Sequence, residues 1–123
     1  MTENKINSYR DLKVWQLAMD LAETCYALTG DFPKSEIFGM TSQIRRASVS
    51  IAANIAEGHG RETSPLFVQF LRAAQGSLKE TETHLIICQR VGLGKVSQLS
   101  LALSKCDEIG KMLRSLIRSI QEK

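Results

Sequence analysis

Apolar positions recur at three- and four-residue intervals along almost the whole chain, and the pattern is broken at only three places. A turn of about 100° per residue puts such positions on one face of a helix. The first periodic stretch runs from about Asp11 to Thr29, with Trp15, Ala18, Met19, Ala22, Cys25, Tyr26 and Thr29 on one stripe. Gly30-Asp31-Phe32-Pro33 ends it, glycine at the C-terminal position and proline just beyond. Ser35 followed by Glu36 is expected to cap a second helix reaching His59, closed by Gly58 and Gly60. Ser64 as cap and Pro65 in the first helical position open a third, to Val91. Its stripe is Phe67, Phe70, Leu71, Ala74, Leu78, Thr81, Leu85 and Cys88. The fourth covers about Val96 to Gln121, with Leu99, Leu103, Cys106, Ile109, Gly110, Leu113, Leu116, Ile117 and Ile120 in register. No segment alternates with period two. Four helices on short connections predict an all-α, antiparallel up-down-up-down four-helix bundle, a single domain over 9–123 behind a loose lead at 1–8.

The second helix carries more apolar surface than one bundle needs. Met40, Ile44, Ala47, Ile51, Ile55 and Gly58 share the core face, and Val49, Ala52 and Ala56 form a second stripe headed by Arg45. A surface helix of a monomer needs one such stripe. The second, with Val14, Leu17, Leu21 and Leu28 of the first helix, is therefore expected to be a seam between copies of the chain.

Composition narrows the class further. Of 123 residues, 43% are hydrophobic and 24% charged, which places the chain among globular domains rather than disordered ones. No stretch approaches the roughly 20 apolar residues a membrane span requires, and the polar start MTENKINSYRD lacks a signal-peptide core. Cys25, Cys88 and Cys106 form no paired motif and sit on apolar stripes, as small hydrophobes do in a reducing compartment. A cytoplasmic protein is the expectation.

The segments FP..E.FG, TSQIRRA, NIAEG and GSL, in that order, resemble the four-helix-bundle family encoded in 23S rRNA intervening sequences. The likeness extends over about residues 9 to 118. A more distant resemblance is to the accessory variability determinant of diversity-generating retroelements. These resemblances imply a ring-like homopentamer, and the second implies contact with nucleic acid and a reverse transcriptase. Three positions depart from the family pattern. Ala52 replaces a usual proline, which lets the helix run straight; Thr81 replaces a leucine; and Val91-Gly92-Leu93-Gly94 replaces a common Leu-Gly-Tyr-Leu turn, which is expected to loosen that hairpin.

Candidate chemistry is sparse. The net charge is +3, and residues 95–123 alone carry six Lys/Arg against three Asp/Glu. Lys111, Arg114 and Arg118 stand at i, i+3, i+7, a basic stripe that a homo-oligomer would repeat into a field able to hold RNA or DNA. Arg46, on the polar face of the second helix, joins them as a candidate phosphate ligand. The alternative is that these charges only solubilise a protein-interaction scaffold. Arg45 is expected either at the subunit seam or bonded to a carboxylate such as Glu82. Asn54 is expected to satisfy a neighbouring group, and Glu57 to pair with Arg61. Glu80, Glu82 and His84 lack the Glu-x-x-His repeat on facing helices that di-iron bundles use. Ser48 and Ser50 have no histidine at a useful spacing, and no phosphate loop or cofactor motif occurs. The reading is a binding protein, not an enzyme, with no cofactor.

Overall fold

A computed structural model describes residues 8–123. Four helices make up nearly all of it: α1 (Lys13–Gly30), α2 (Met40–His59), α3 (Ser64–Val91) and α4 (Val96–Gln121). Single 3-10 turns, Tyr9–Asp11 and Lys34–Glu36, precede α1 and α2. Residues 60–63 join α2 to α3 and 92–95 join α3 to α4. Four residues reach at most about 14 Å, far short of the length of these helices, so α3 must run back along α2 and α4 along α3. Each packs on its two neighbours, in the cyclic order α1, α2, α3, α4. The expected loose lead at 1–8 lies outside the described residues except for Ser8. Its hydroxyl accepts the Arg10 N–H at 3.1 Å while its own N–H donates to Asp11 Oδ2 at 3.2 Å.

Helix termini follow local chemistry with two departures from expectation. Ser35 does not cap α2; it lies within a 3-10 turn, and Gly39 takes the cap position. Glu36 Oε1 instead accepts the Met40 N–H at 3.0 Å, satisfying one of the donors a helix start leaves free. Ser64 is the first residue of α3 rather than its cap, with Thr63 before it in extended backbone and Pro65 in the first turn. The α3–α4 turn is closed rather than loose. Gly92 adopts a left-handed φ of 75° as the helix C-cap, Leu93 packs on the core, and Asp31 and Lys95 approach to 3.6 Å across the two connections. Gly94 also has positive φ, and a Cβ there would stand 3.0 Å from both Leu28 Cδ1 and Phe32 Cε1.

The core is continuous from Val14 and Ile117 at one end to Cys88 and Leu99 at the other. It corrects the sequence reading of α1. Val14, Leu21 and Leu28, expected at an outer seam, are buried within the subunit, and Leu17 is half-buried against the same cluster. Met19 and Tyr26, expected inside, are exposed. The core face of α1 is rotated because the helix is apolar on both flanks, and Tyr and Met leave an edge in water more cheaply than three branched aliphatics do. In α2, Ala52 is also buried, whereas Val49 stays exposed and Ala56 half-buried. With alanine at 52, α2 runs unbroken over its 20 residues. The Thr81 hydroxyl on the core stripe donates to the Ser77 carbonyl at 2.8 Å, so its burial leaves no polar group unmet.

The α2–α3 contact is the most extensive among the described helices, and it is very close at Gly58. A Cβ on Gly58 would lie 2.5 Å from Phe70 Cβ and 3.3 Å from the Phe67 carbonyl. Phe70 Cβ is a side-chain stem and cannot swing aside, so Gly58→Ala must push the helices apart. Overpacking of this kind costs about 1–3 kcal/mol, and thermal unfolding followed by circular dichroism will show that loss as a lower midpoint. Gly76, with nothing within 4 Å of its Cβ position, behaves oppositely: Gly76→Ala raises stability by about 0.5–1 kcal/mol.

All three thiols are buried, and desolvation is the main reason their pKa rises from 9.0 to about 11 for Cys25 and Cys88 and to about 12 for Cys106. A folded pKa above the unfolded one gives a contribution that is whole below pH 9 and is lost as the pH climbs towards 11–12. Urea midpoints are therefore expected to fall in that window. At pH 8 a thiol reagent should label none of the three until the chain unfolds.

Candidate nucleic-acid interface

Helix α3 places Arg72, Gln75 and Lys79 along the edge that faces α4, at three- and four-residue spacing. Across from them α4 places Arg114, Arg118 and Gln121. Between the two helices lies a cleft of about 220 Å³ lined by these residues, without Lys79, over Ile117. A second cleft of about 370 Å³ adjoins it, sharing Gln75 and Arg114 and adding Gly76, Leu78, Lys79 and Gly110. No carboxylate lines either one. Among the described residues no ion pair joins Arg72, Arg114 or Arg118 to an acid. Arg118 sits in the last turn of α4, where the free carbonyl ends of the helix favour a cation. Three guanidiniums thus stand with their hydrogen-bonding forks open, which is the arrangement that grips phosphate oxygens.

The sequence-expected cations divide. Arg114 and Arg118 are brought together as anticipated. Lys111 lines neither cleft, and its ammonium is 3.5 Å from Asp107 Oδ2 one turn away. Arg46 lines neither cleft and donates to Ser42 Oγ at 3.3 Å on the exposed side of α2. Arg72 was missed, since nothing in its own segment marks it; only the packing of α3 on α4 sets it beside the two arginines. Lys79 is shared with Glu82 at 3.0 Å.

Among the described residues Arg45 has no carboxylate partner, and the expected bond to Glu82 is replaced by a different arrangement. Arg45 Nε donates to Thr29 Oγ1 at 2.9 Å, and the guanidinium lies 4.4 Å from the centre of the Tyr26 ring. Thr29 in turn donates to the Cys25 carbonyl at 2.7 Å. A hydroxyl and an aromatic face together hold the half-buried charge that a lone apolar setting would not. Asn54 Nδ2 donates to the Ser50 carbonyl at 2.9 Å and to Ser50 Oγ at 3.0 Å, and Ser50 Oγ meets Ser77 Oγ at 2.8 Å across the α2–α3 seam. Glu57 and Arg61 pair at 2.7 Å, as their spacing predicts. His84 Nε2 approaches Glu80 at 3.4 Å, and its Nδ1 is buried without a partner. Among the described residues no group of three His, Cys, Asp or Glu side chains is placed to hold a metal ion.

The family model for the 23S rRNA-intervening sequence protein matches residues 10–115. The chain belongs to that family. Among solved structures, a protein of unknown function from the S23 ribosomal protein family of Bacteroides thetaiotaomicron matches with a TM-score of 0.75. It is 27% identical and the match covers 85% of this chain and 97% of that one. A search among curated proteins finds no match. Among the described residues of this family member, no helix is long and apolar enough to cross a membrane.

Proposed function

We propose that the protein is a homo-oligomeric, non-enzymatic bundle that holds RNA or DNA by its phosphate backbone along the α3–α4 face. The observation that carries this reading is the cleft in which Arg72, Arg114 and Arg118 stand together with no acid, among the described residues, to neutralise them. Guanidinium stays protonated at any physiological pH and serves as a donor, so the face suits anion binding rather than proton transfer. No aromatic side chain lines either cleft, so grip on the phosphates rather than aromatic stacking carries the binding.

Assembly would occupy the other side. Met19 and Tyr26 on α1 and Val49 on α2 are exposed, with Arg45 stacked among them and Trp15 and Ala56 half-buried nearby. In the cyclic helix order the α1–α2 face lies opposite the α3–α4 clefts. Copies joined through the first face leave the second one free, and a five-membered ring would carry about fifteen such guanidiniums. A field of that size attracts a polyanion that a single subunit would hold weakly, as expected of an accessory factor to a nucleic-acid enzyme such as a reverse transcriptase. A second reading, a scaffold for protein partners, draws on one observation. Phe38 is 96% exposed, and Ile37, Val91 and Val96 are exposed at the same end of the bundle.

Replacing Arg72, Arg114 and Arg118 together by Gln should abolish gel-shift binding to RNA and duplex DNA at low salt while leaving the thermal midpoint near wild type. Retained binding in that variant rejects the α3–α4 face, and the scaffold reading predicts no shift even for wild type. Light scattering should give five times the chain mass, reduced to a single chain by Val49→Glu; a wild-type monomer rejects the ring.

A further inference from the structure

Gly76 serves no packing purpose inside the subunit. It stands in the interior of the 28-residue α3, where glycine is a poor choice, and nothing lies within 4 Å of the place its Cβ would take. Gly58 one helix away is different, being pressed against Phe70. The space beyond Gly76 is the larger cleft, whose floor it forms with Gly110 and Leu78. At Gly110 a Cβ would make ordinary van der Waals contact, 3.4 Å from Leu78 Cδ2 and 3.8 Å from Arg114 Nη1. Two residues without side chains therefore keep a slot open beside Arg114, and a side chain at either would begin to fill it.

The slot and the guanidinium cleft differ in chemistry. One has a small apolar floor walled by the Gln75 amide and the Lys79 ammonium; the other has three guanidiniums. They share Gln75 and Arg114, so a single ligand can lie across both. A nucleotide has the matching division, a charged phosphate joined through a sugar to a flat base that is apolar on its faces and polar at its edge. We infer that the paired clefts take one nucleotide of a single strand, phosphate among Arg72, Arg114 and Arg118 and unpaired base over Gly76. This rests on the polyanion reading above and adds a preference to it. A base in a duplex is paired and stacked, and must be extruded before it can enter such a slot. Duplexes would touch the arginines only, and single strands would use both clefts.

The test is fluorescence anisotropy of a short labelled single strand and of the duplex of the same sequence, at one salt concentration. It uses the full chain as wild type, Gly76→Ala, Gly76→Leu and the triple Gln variant. Wild type should bind the single strand about tenfold or more tightly than the duplex, which either forgoes the slot or must extrude a base to reach it. Gly76→Leu should bring the single strand down to the duplex level with duplex binding unchanged, and Gly76→Ala should fall between. The circular-dichroism spectrum and the light-scattering mass of all glycine variants at the assay temperature should match wild type. Equal wild-type affinity for the two forms, or a preference that survives Gly76→Leu, overturns the inference while leaving the polyanion reading standing. A change of particle mass in Gly76→Leu also overturns it, because the slot would then seat a second copy. Wild-type affinity in the triple Gln variant, or no binding by wild type, overturns both.

Discussion

The seam between α2 and α3 governs how the rest of the molecule is arranged. Gly58 brings the two backbones so near that Phe70 Cβ occupies the space of a missing methyl, and the Ser50–Ser77 hydrogen bond fixes the register farther along. With its α2 side held so closely, α3 cannot rotate about its axis. Its opposite edge, carrying Arg72, Gln75 and Lys79, is therefore committed to the α4 side. The packing there is looser, and the clefts are what remains when rigid helices meet closely on one side and glycines line the other. Three acids of α3 and α4 have partners on their own helices, Glu82 with Lys79, Glu80 with His84 and Asp107 with Lys111, and among the described residues no ion pair reaches Arg72, Arg114 or Arg118.

Much of this was legible from residue spacing. The bundle, the start and end of α4, and the buried stripes of α3 and α4 follow from three-to-four periodicity broken by Gly and Pro, because each of those helices has one apolar face and one charged face. Helix α1 was legible as a helix but not in its rotation. Val14, Leu21 and Leu28 compete with Trp15, Met19 and Tyr26, and periodicity alone does not say which flank gives up its water; the shape of three neighbouring helices decides. The same ambiguity misplaced Ala52 at a seam. Cap positions failed at Ser35 and Ser64 because a 3-10 turn and a proline shift the helix start by a few residues.

The candidate interface was half legible. Arg114 and Arg118 stand out as a spaced pair in a basic segment, but Arg72 is forty-two residues earlier in the chain than Arg114, and only the fold brings it near. Lys111 and Arg46 looked equivalent to them in sequence; Asp107 one turn before Lys111 and the outward position of Arg46 separate them. Arg45 illustrates the reverse problem. It was expected at a subunit seam or against an acid, yet its partners within the subunit are a threonine hydroxyl and a tyrosine ring, groups that spacing does not advertise.

Membership in the 23S rRNA-intervening sequence protein family supplies an architecture, and the unneutralised guanidiniums supply the chemistry proposed for it. Counter-ions held by a nucleic acid are released when such groups displace them, so affinity must follow ionic strength. Three phosphate contacts per subunit give a slope of log affinity against log salt of about −2 for a single strand, steeper if several subunits engage one molecule. Measuring that slope from low to moderate salt tests the account most directly. A linear fall of about −2 or steeper is the predicted result, and an affinity indifferent to salt contradicts it.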